Sequence, residues 1–210
     1  VAFDALRVTA SAYHLTLDNR QRSVDSKAPD SSQAVPTIIN GDTTINGLEI
    51  GLDWAVTPSV NIGFVTEIRH SDEEWQGFYN AEGTFVPKEK NNNKASTNYT
   101  ARLDWMPDLG VGATTLHLDY VFLDNVNRDQ VGLEDYKKAI PEYFKDTRNL
   151  NARLSWENDD DTIEIGLWSK NLLDERYVLS VGGLAASVLR TPIARINRGR
   201  EVGIDFTYSF

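Results

Sequence analysis

The chain has 210 residues, 40% of them apolar, a formal net charge of -10 and no cysteine. The acidity argues against nucleic acid as a partner, and the lack of thiols excludes disulfides and thiolate metal sites. No run of about eighteen apolar residues occurs, which excludes a transmembrane helix but leaves a transmembrane barrel open, since alternating strands keep the average hydropathy low.

In chain order, eight stretches alternate with the period of two that a pleated strand imposes. In residues 5–17, Leu6, Val8, Ala10 and Ala12 oppose Arg7, Thr9 and Ser11. Tyr13, Leu15 and Leu17 then take the opposite phase, which predicts a β-bulge near Ala12–Tyr13. Residues 18–42 carry Pro29, Pro36 and Asn40-Gly41 and read as a long loop. The second strand, residues 44–56, sets Leu48, Ile50, Leu52, Trp54 and Val56 against Gly47, Glu49, Gly51 and Asp53. A tight Thr57-Pro58-Ser59 turn leads to residues 60–71, and a second long loop runs to about Ala95. Residues 96–106 and 113–124 form the next hairpin around Pro107–Gly112, and a third long loop spans 125–147. Residues 148–157 and 162–172 flank the turn Asn158-Asp159-Asp160-Asp161, and a fourth long segment, 173–198, returns to residues 199–210. There Val202, Ile204, Phe206, Tyr208 and Phe210 share one face, and the chain ends on an aromatic, as a barrel-closing strand would.

The fold class is therefore all-β: an antiparallel up-and-down meander of about eight strands, part of a transmembrane β-barrel. Connections alternate long and short, as they do between the two sides of an outer membrane. Trp54, Trp105 and Trp156 recur at 51-residue intervals on strands running the same way, and with Tyr208 they predict an aromatic girdle at the inner interface. A soluble barrel with its apolar faces turned inward is the alternative, and it would bury those rings.

The opposite faces collect Glu49, Asp53, Asn61, Glu67, Arg69, Asn98, Arg102, Asp104, His117, Asp119, Asn151, Arg153 and Glu164, a hydrated lining for a lumen. A hydrolase reading would use one of three histidines, His14, His70 or His117, the last with Asp119 two residues on. No nucleophile is fixed by spacing, so no catalytic residue is assigned. Asp159-Asp160-Asp161 lacks the Gly and terminal Glu of a calcium loop, so neither metal nor cofactor is expected. Arg190, Arg195, Arg198 and Arg200 could meet phosphates of lipopolysaccharide or an anionic chelate.

Several stretches resemble the C-terminal barrel half of TonB-dependent outer-membrane receptors. Lys170-Asn171-Leu172-Leu173-Asp174-Glu175-Arg176-Tyr177 is similar to that family's Asn-Leu-x-Asp-x-x-Tyr element, and Gly199–Phe210 to its closing strand. Asn46-Gly47-Leu48-Glu49-Ile50 resembles the start of a descending strand, and Arg7 to Gln21 an earlier ascending one. The resemblance implies energised import of a scarce small-molecule ligand, such as a ferric siderophore, cobalamin, haem or a carbohydrate, across the Gram-negative outer membrane. It also implies contact with outer-membrane lipid and lipopolysaccharide, with TonB through a plug domain, and with the barrel assembly machinery, which would read Val202, Ile204, Phe206, Tyr208 and Phe210. The family barrel has 22 strands, so residues 1–210 are expected to be its C-terminal segment, the plug and earlier strands being absent. The opening Val1, without Met or signal peptide, fits that expectation. Ligand contact is expected near the external end, at Arg69, Trp75, Tyr79 and Tyr136. The other readings are a complete small outer-membrane barrel with a structural or hydrolytic role, and a soluble ligand-binding barrel.

Overall fold

A computed structural model describes residues 5–92, 95–124, 134–181 and 193–210. Eight long strands form one antiparallel sheet: β1 (Leu6–Ser26), β2 (Val35–Thr57), β3 (Val60–Trp75), β7 (Ser96–Trp105), β8 (Ala113–Leu123), β9 (Thr147–Glu157), β10 (Ile163–Lys170) and β13 (Glu201–Tyr208). Each pairs with its neighbour in that order, and β1 does not pair with β13, so the sheet is open with an unpaired edge on each side. Smaller elements fill the long connections. They are the hairpin β4 (Phe78–Tyr79) and β5 (Phe85–Val86), β6 (Glu89–Asn92) on the outer end of β3, helix α1 (Glu134–Ala139), a 3-10 turn (Pro141–Tyr143), and the pair β11 (Val178–Val181) and β12 (Ala194–Ile196).

The register keeps one face apolar across the whole sheet. Leu6 pairs with Trp54 and Trp54 with Ile62; Ile62 continues to Leu103, Leu118 and Ala152. Almost nothing covers this face. Val202, Ile204 and Phe206 are 69%, 73% and 66% exposed, and Trp54, Trp105 and Tyr208 are exposed too. A soluble barrel would have hidden these side chains; here the apolar face requires hydrocarbon as its partner. Among the described residues the buried apolar side chains are Ile39, Trp75, Phe144 and Val178, all in the external parts of the sheet and its connections.

The register also explains the girdle. The row of Trp54 reaches β7 at Leu103, and Trp105 lies two residues further toward the turns. The row of Trp105 reaches β9 at Leu154, two short of Trp156, and that of Trp156 reaches β13 at Phe206, two short of Tyr208. A stagger of one residue per strand, at about 3.3 Å rise and 4.8 Å spacing, makes the four rings level when strands tilt by about 35°. Closed barrels use that tilt. On β2 the apolar run gives way to Asn46 eight residues above Trp54, about 22 Å higher at that tilt, close to the height of a barrel's apolar band.

Two expectations are corrected. The bulge is not at Ala12–Tyr13: pairing is continuous from Leu6 to Leu17, and Tyr13, Leu15 and Leu17 stay on the polar face. The irregularity falls between Leu17 and Arg20, where Asp18 and Asn19 oppose Asp42 alone. Asn19 takes φ 54° and its N–H donates to Asp42 Oδ1 at 2.9 Å, a left-handed bulge that asparagine tolerates. Residues 18–42 are therefore mostly not a loop, because β1 and β2 go on pairing to Ser26 and Val35. Outside the membrane a ladder needs no apolar alternation, so the periodicity vanished while the strand continued.

In vesicles with brominated acyl chains, single-tryptophan variants should show quenching at Trp54, Trp105 and Trp156 and little at Trp75 and Trp168. Equal quenching of all five would mean that the apolar face does not meet lipid.

Candidate functional site: the polar wall and its external end

The polar face is built on glycines. Tyr13 lies across Gly47, its cross-strand partner, so closely that a Cβ there would sit 2.1 Å from the Tyr13 ring. Trp168 covers Gly203, Arg102 covers Gly63 and Trp75 covers Gly41 in the same way, each again a direct partner. Glycine inside a strand thus marks a bare platform on which a large neighbour lies flat.

Held flat, these side chains meet carboxylates. Arg102 reaches Asp53 at 3.3 Å and Asp104 at 3.1 Å. Asp104 lies 2.5 Å from His117 Nδ1, and Asp119 lies 3.7 Å from His117 Nε2. Arg153 bridges Asp205 at 2.5 Å and Glu164 at 3.2 Å, and Trp168 Nε1 donates to Asp205 at 3.1 Å. Higher up, Glu67 is held by neutral donors, the Tyr13 hydroxyl at 2.7 Å and Asn98 Nδ2 at 3.3 Å. The deep wall is therefore an internally paired charge lattice. His117 sits between two carboxylates, and among the described residues no hydroxyl bonds to it.

The four expected ligand residues are spread out. Arg69 and Trp75 share the polar face of β3, about 20 Å apart by strand rise, and among the described residues no hydrogen-bond partner meets Arg69. Trp75 is 2% exposed, so its ring is covered. Its ring rests on Gly41, its Nε1 donates to Glu73 at 3.1 Å, and the guanidinium of Arg22 stacks 4.3 Å from its centroid. Arg20 binds Glu73 at 2.8 Å and lies 5.6 Å from the same ring. Tyr79 sits in β4, partly exposed, with its ring edge-on to Phe85 at 5.2 Å. Tyr136 falls in α1, and its side chain lies outside the described residues.

Arg20 and Arg22 were missed because residues 18–26 read as loop; their spacing of two was the available signal. The Asn171–Tyr177 element proves to be a lock. Asn171 takes φ 50°; its Nδ2 donates to the carbonyls of Glu175 at 2.9 Å and Arg198 at 3.1 Å, and its Oδ1 accepts from Glu175 N at 3.0 Å. Asp174 accepts from Arg200 N at 2.8 Å. The element's Asn and Asp thus close the root of the last external segment. The girdle and closing-strand residues all lie on the apolar face, apart from Phe210, which follows the end of β13.

Replacing Gly47 with Val should cost about 1–3 kcal/mol by driving Tyr13 off the wall. The loss should be largely absent when Tyr13 is already Ala, read as the midpoint of the heat-induced mobility shift on semi-native gels. Additive losses would mean that the two do not share a site.

The TonB dependent receptor-like, beta-barrel family model matches residues 1–172. No curated protein sequence matches. Among solved structures, the chain is similar to the ferric yersiniabactin uptake receptor FyuA from Yersinia pestis, at 15% identity and a TM-score of 0.43. That alignment covers 99% of this chain and 35% of the receptor, so the chain spans about a third of that protein's length.

Proposed function

Because this chain belongs to the TonB-dependent receptor β-barrel family, we propose that it forms wall and external mouth of an energy-coupled importer in the Gram-negative outer membrane. The cargo is a scarce small molecule of the ferric siderophore kind. The observation that carries this reading is the division of one core-less sheet into a continuous apolar face and an ion-paired polar face. Such a sheet separates lipid from an aqueous lumen and does little else. Residues 1–210 act in this reading as a C-terminal segment, with further strands meeting the free edges of β1 and β13 and a plug filling the lumen and contacting TonB. Lipid and lipopolysaccharide meet the apolar face, and the assembly machinery engages Val202 to Phe210.

The deep wall's guanidiniums are already held by carboxylates, so this region serves plug packing better than cargo binding. Direct contacts are assigned to Arg69, Tyr79 and Tyr136; Trp75 contributes by carrying the guanidinium of Arg22. The family's members are transporters, and no hydrolytic role is assigned.

Cells carrying the full-length gene should take up a radio-iron-loaded siderophore from a test panel only with TonB and a proton gradient. At matched surface expression, Ala at Arg69, Tyr79 and Tyr136 should weaken binding about tenfold or more in combination, whereas Ala at Asp53, Asp104 and Arg153 should leave binding largely intact. Uptake without TonB would overturn the importer reading. Loss confined to the deep set would overturn the site.

A further inference from the structure

We infer that residues 140–145, ahead of β9, and residues 175–181 with 194–197, between β10 and β13, form a single clasp, with Phe144 as the positioning residue that locks them together. Phe144 and Val178 are 7% and 5% exposed and pack on each other, with Ile140 and Tyr143 from one segment and Val181 and Ala194 from the other around them. Of the four buried apolar residues described, these two make one dry contact; the other two, Ile39 and Trp75, belong to the extension of β1 to β3. The wall between contributes none. The last two connections on the external side thus share one small core of their own.

The backbone brings Phe144 to its place. The 3-10 turn closes with Tyr143 N donating to Ile140 O at 3.1 Å and Phe144 N to Pro141 O at 3.2 Å, so the ring projects from a satisfied turn. Next to it, the Lys145 ammonium pairs with the Glu175 carboxylate of the other segment. The root of that segment is closed separately. Asn197 Nδ2 donates to the carbonyls of Glu175 at 2.9 Å and Arg198 at 3.0 Å, and Asn197 Oδ1 accepts from Tyr177 N at 2.8 Å. The asparagines fix the last segment to its own strands; Phe144 fixes it to its neighbour. A displacement of Phe144 therefore uncovers Val178, and the reverse. The coupling rests on packing and stands whatever the cargo is.

The test is hydrogen exchange followed by mass spectrometry on the full-length receptor in outer-membrane vesicles. Phe144→Ala should speed exchange at residues 178–181 by about tenfold or more, and Val178→Ala should do the same at residues 140–144, because each removes the other's cover. Peptides from β9 and β10 should keep their protection, which reports an intact wall. Phe144→Leu keeps most of the volume, and serves if the alanine variants do not assemble; it should give a smaller acceleration of the same two regions. Acceleration confined to the mutated segment, in any of the three variants, would overturn the clasp.

Discussion

A backbone amide in hydrocarbon has no water to turn to, and the rest of this sheet follows from that. Each N–H and C=O left unpaired there costs several kcal/mol, so the strands must find partners along their whole length. Once they do, the side chains are released from building a core. One face need only be apolar and the other need only be wet, which is why the wall stands as a single layer. The same constraint makes the free edges of β1 and β13 the sheet's demanding places. In a membrane both require a neighbouring strand.

On the wet face, freedom from packing is used in a particular way. Tyr13, Arg102 and Trp168 do not stand up into the lumen; they lie on Gly47, Gly63 and Gly203 of the adjacent strands. Lying flat brings Arg102 beside Asp53 and Asp104, and Trp168 beside Asp205. The lattice that results is acidic overall but bonded within itself, a surface suited to seating another folded body against it. Higher up, Arg69 makes no hydrogen bond among the described residues and keeps its donors available, though its charge lies near Glu67.

What was legible in the sequence follows the same division. Strands inside the membrane carry strict alternation, so all eight, their order and the facing of Trp54, Trp105 and Trp156 could be read. The levelling of those rings, by contrast, needed the strand register and was not legible in their spacing. Above the membrane the alternation stops while the pairing does not, and there the reading failed: Asp18 to Ser26 looks like loop and is strand. The switch of phase at Tyr13 suggested a bulge, but Tyr13 has a reason to sit on the polar face, since its hydroxyl reaches Glu67. The real bulge left a fainter trace in Asp18-Asn19. Trp75 likewise falls in a stretch that reads as loop and is the end of β3, and its cover was hidden because Arg20 and Arg22 lie in the extension of β1. The Asn171–Tyr177 stretch was recognisable by resemblance alone; its hydrogen bonds give the physical reason for its residue types.

The bulge at Asp18 and Asn19 also bears on how such a protein can change over generations. By strand rise and tilt it sits about 30 Å above the level of the tryptophan band, where hydrocarbon has ended. One residue more or less at that point would rotate Arg20 and Arg22 to the opposite side of their strand and leave the facing of Leu6 to Leu17 untouched. The mouth can therefore acquire new chemistry through single-codon insertions and deletions while the membrane wall inherits its facing unaltered. Divergence in recognition is in this way separated from the conservation that lipid enforces.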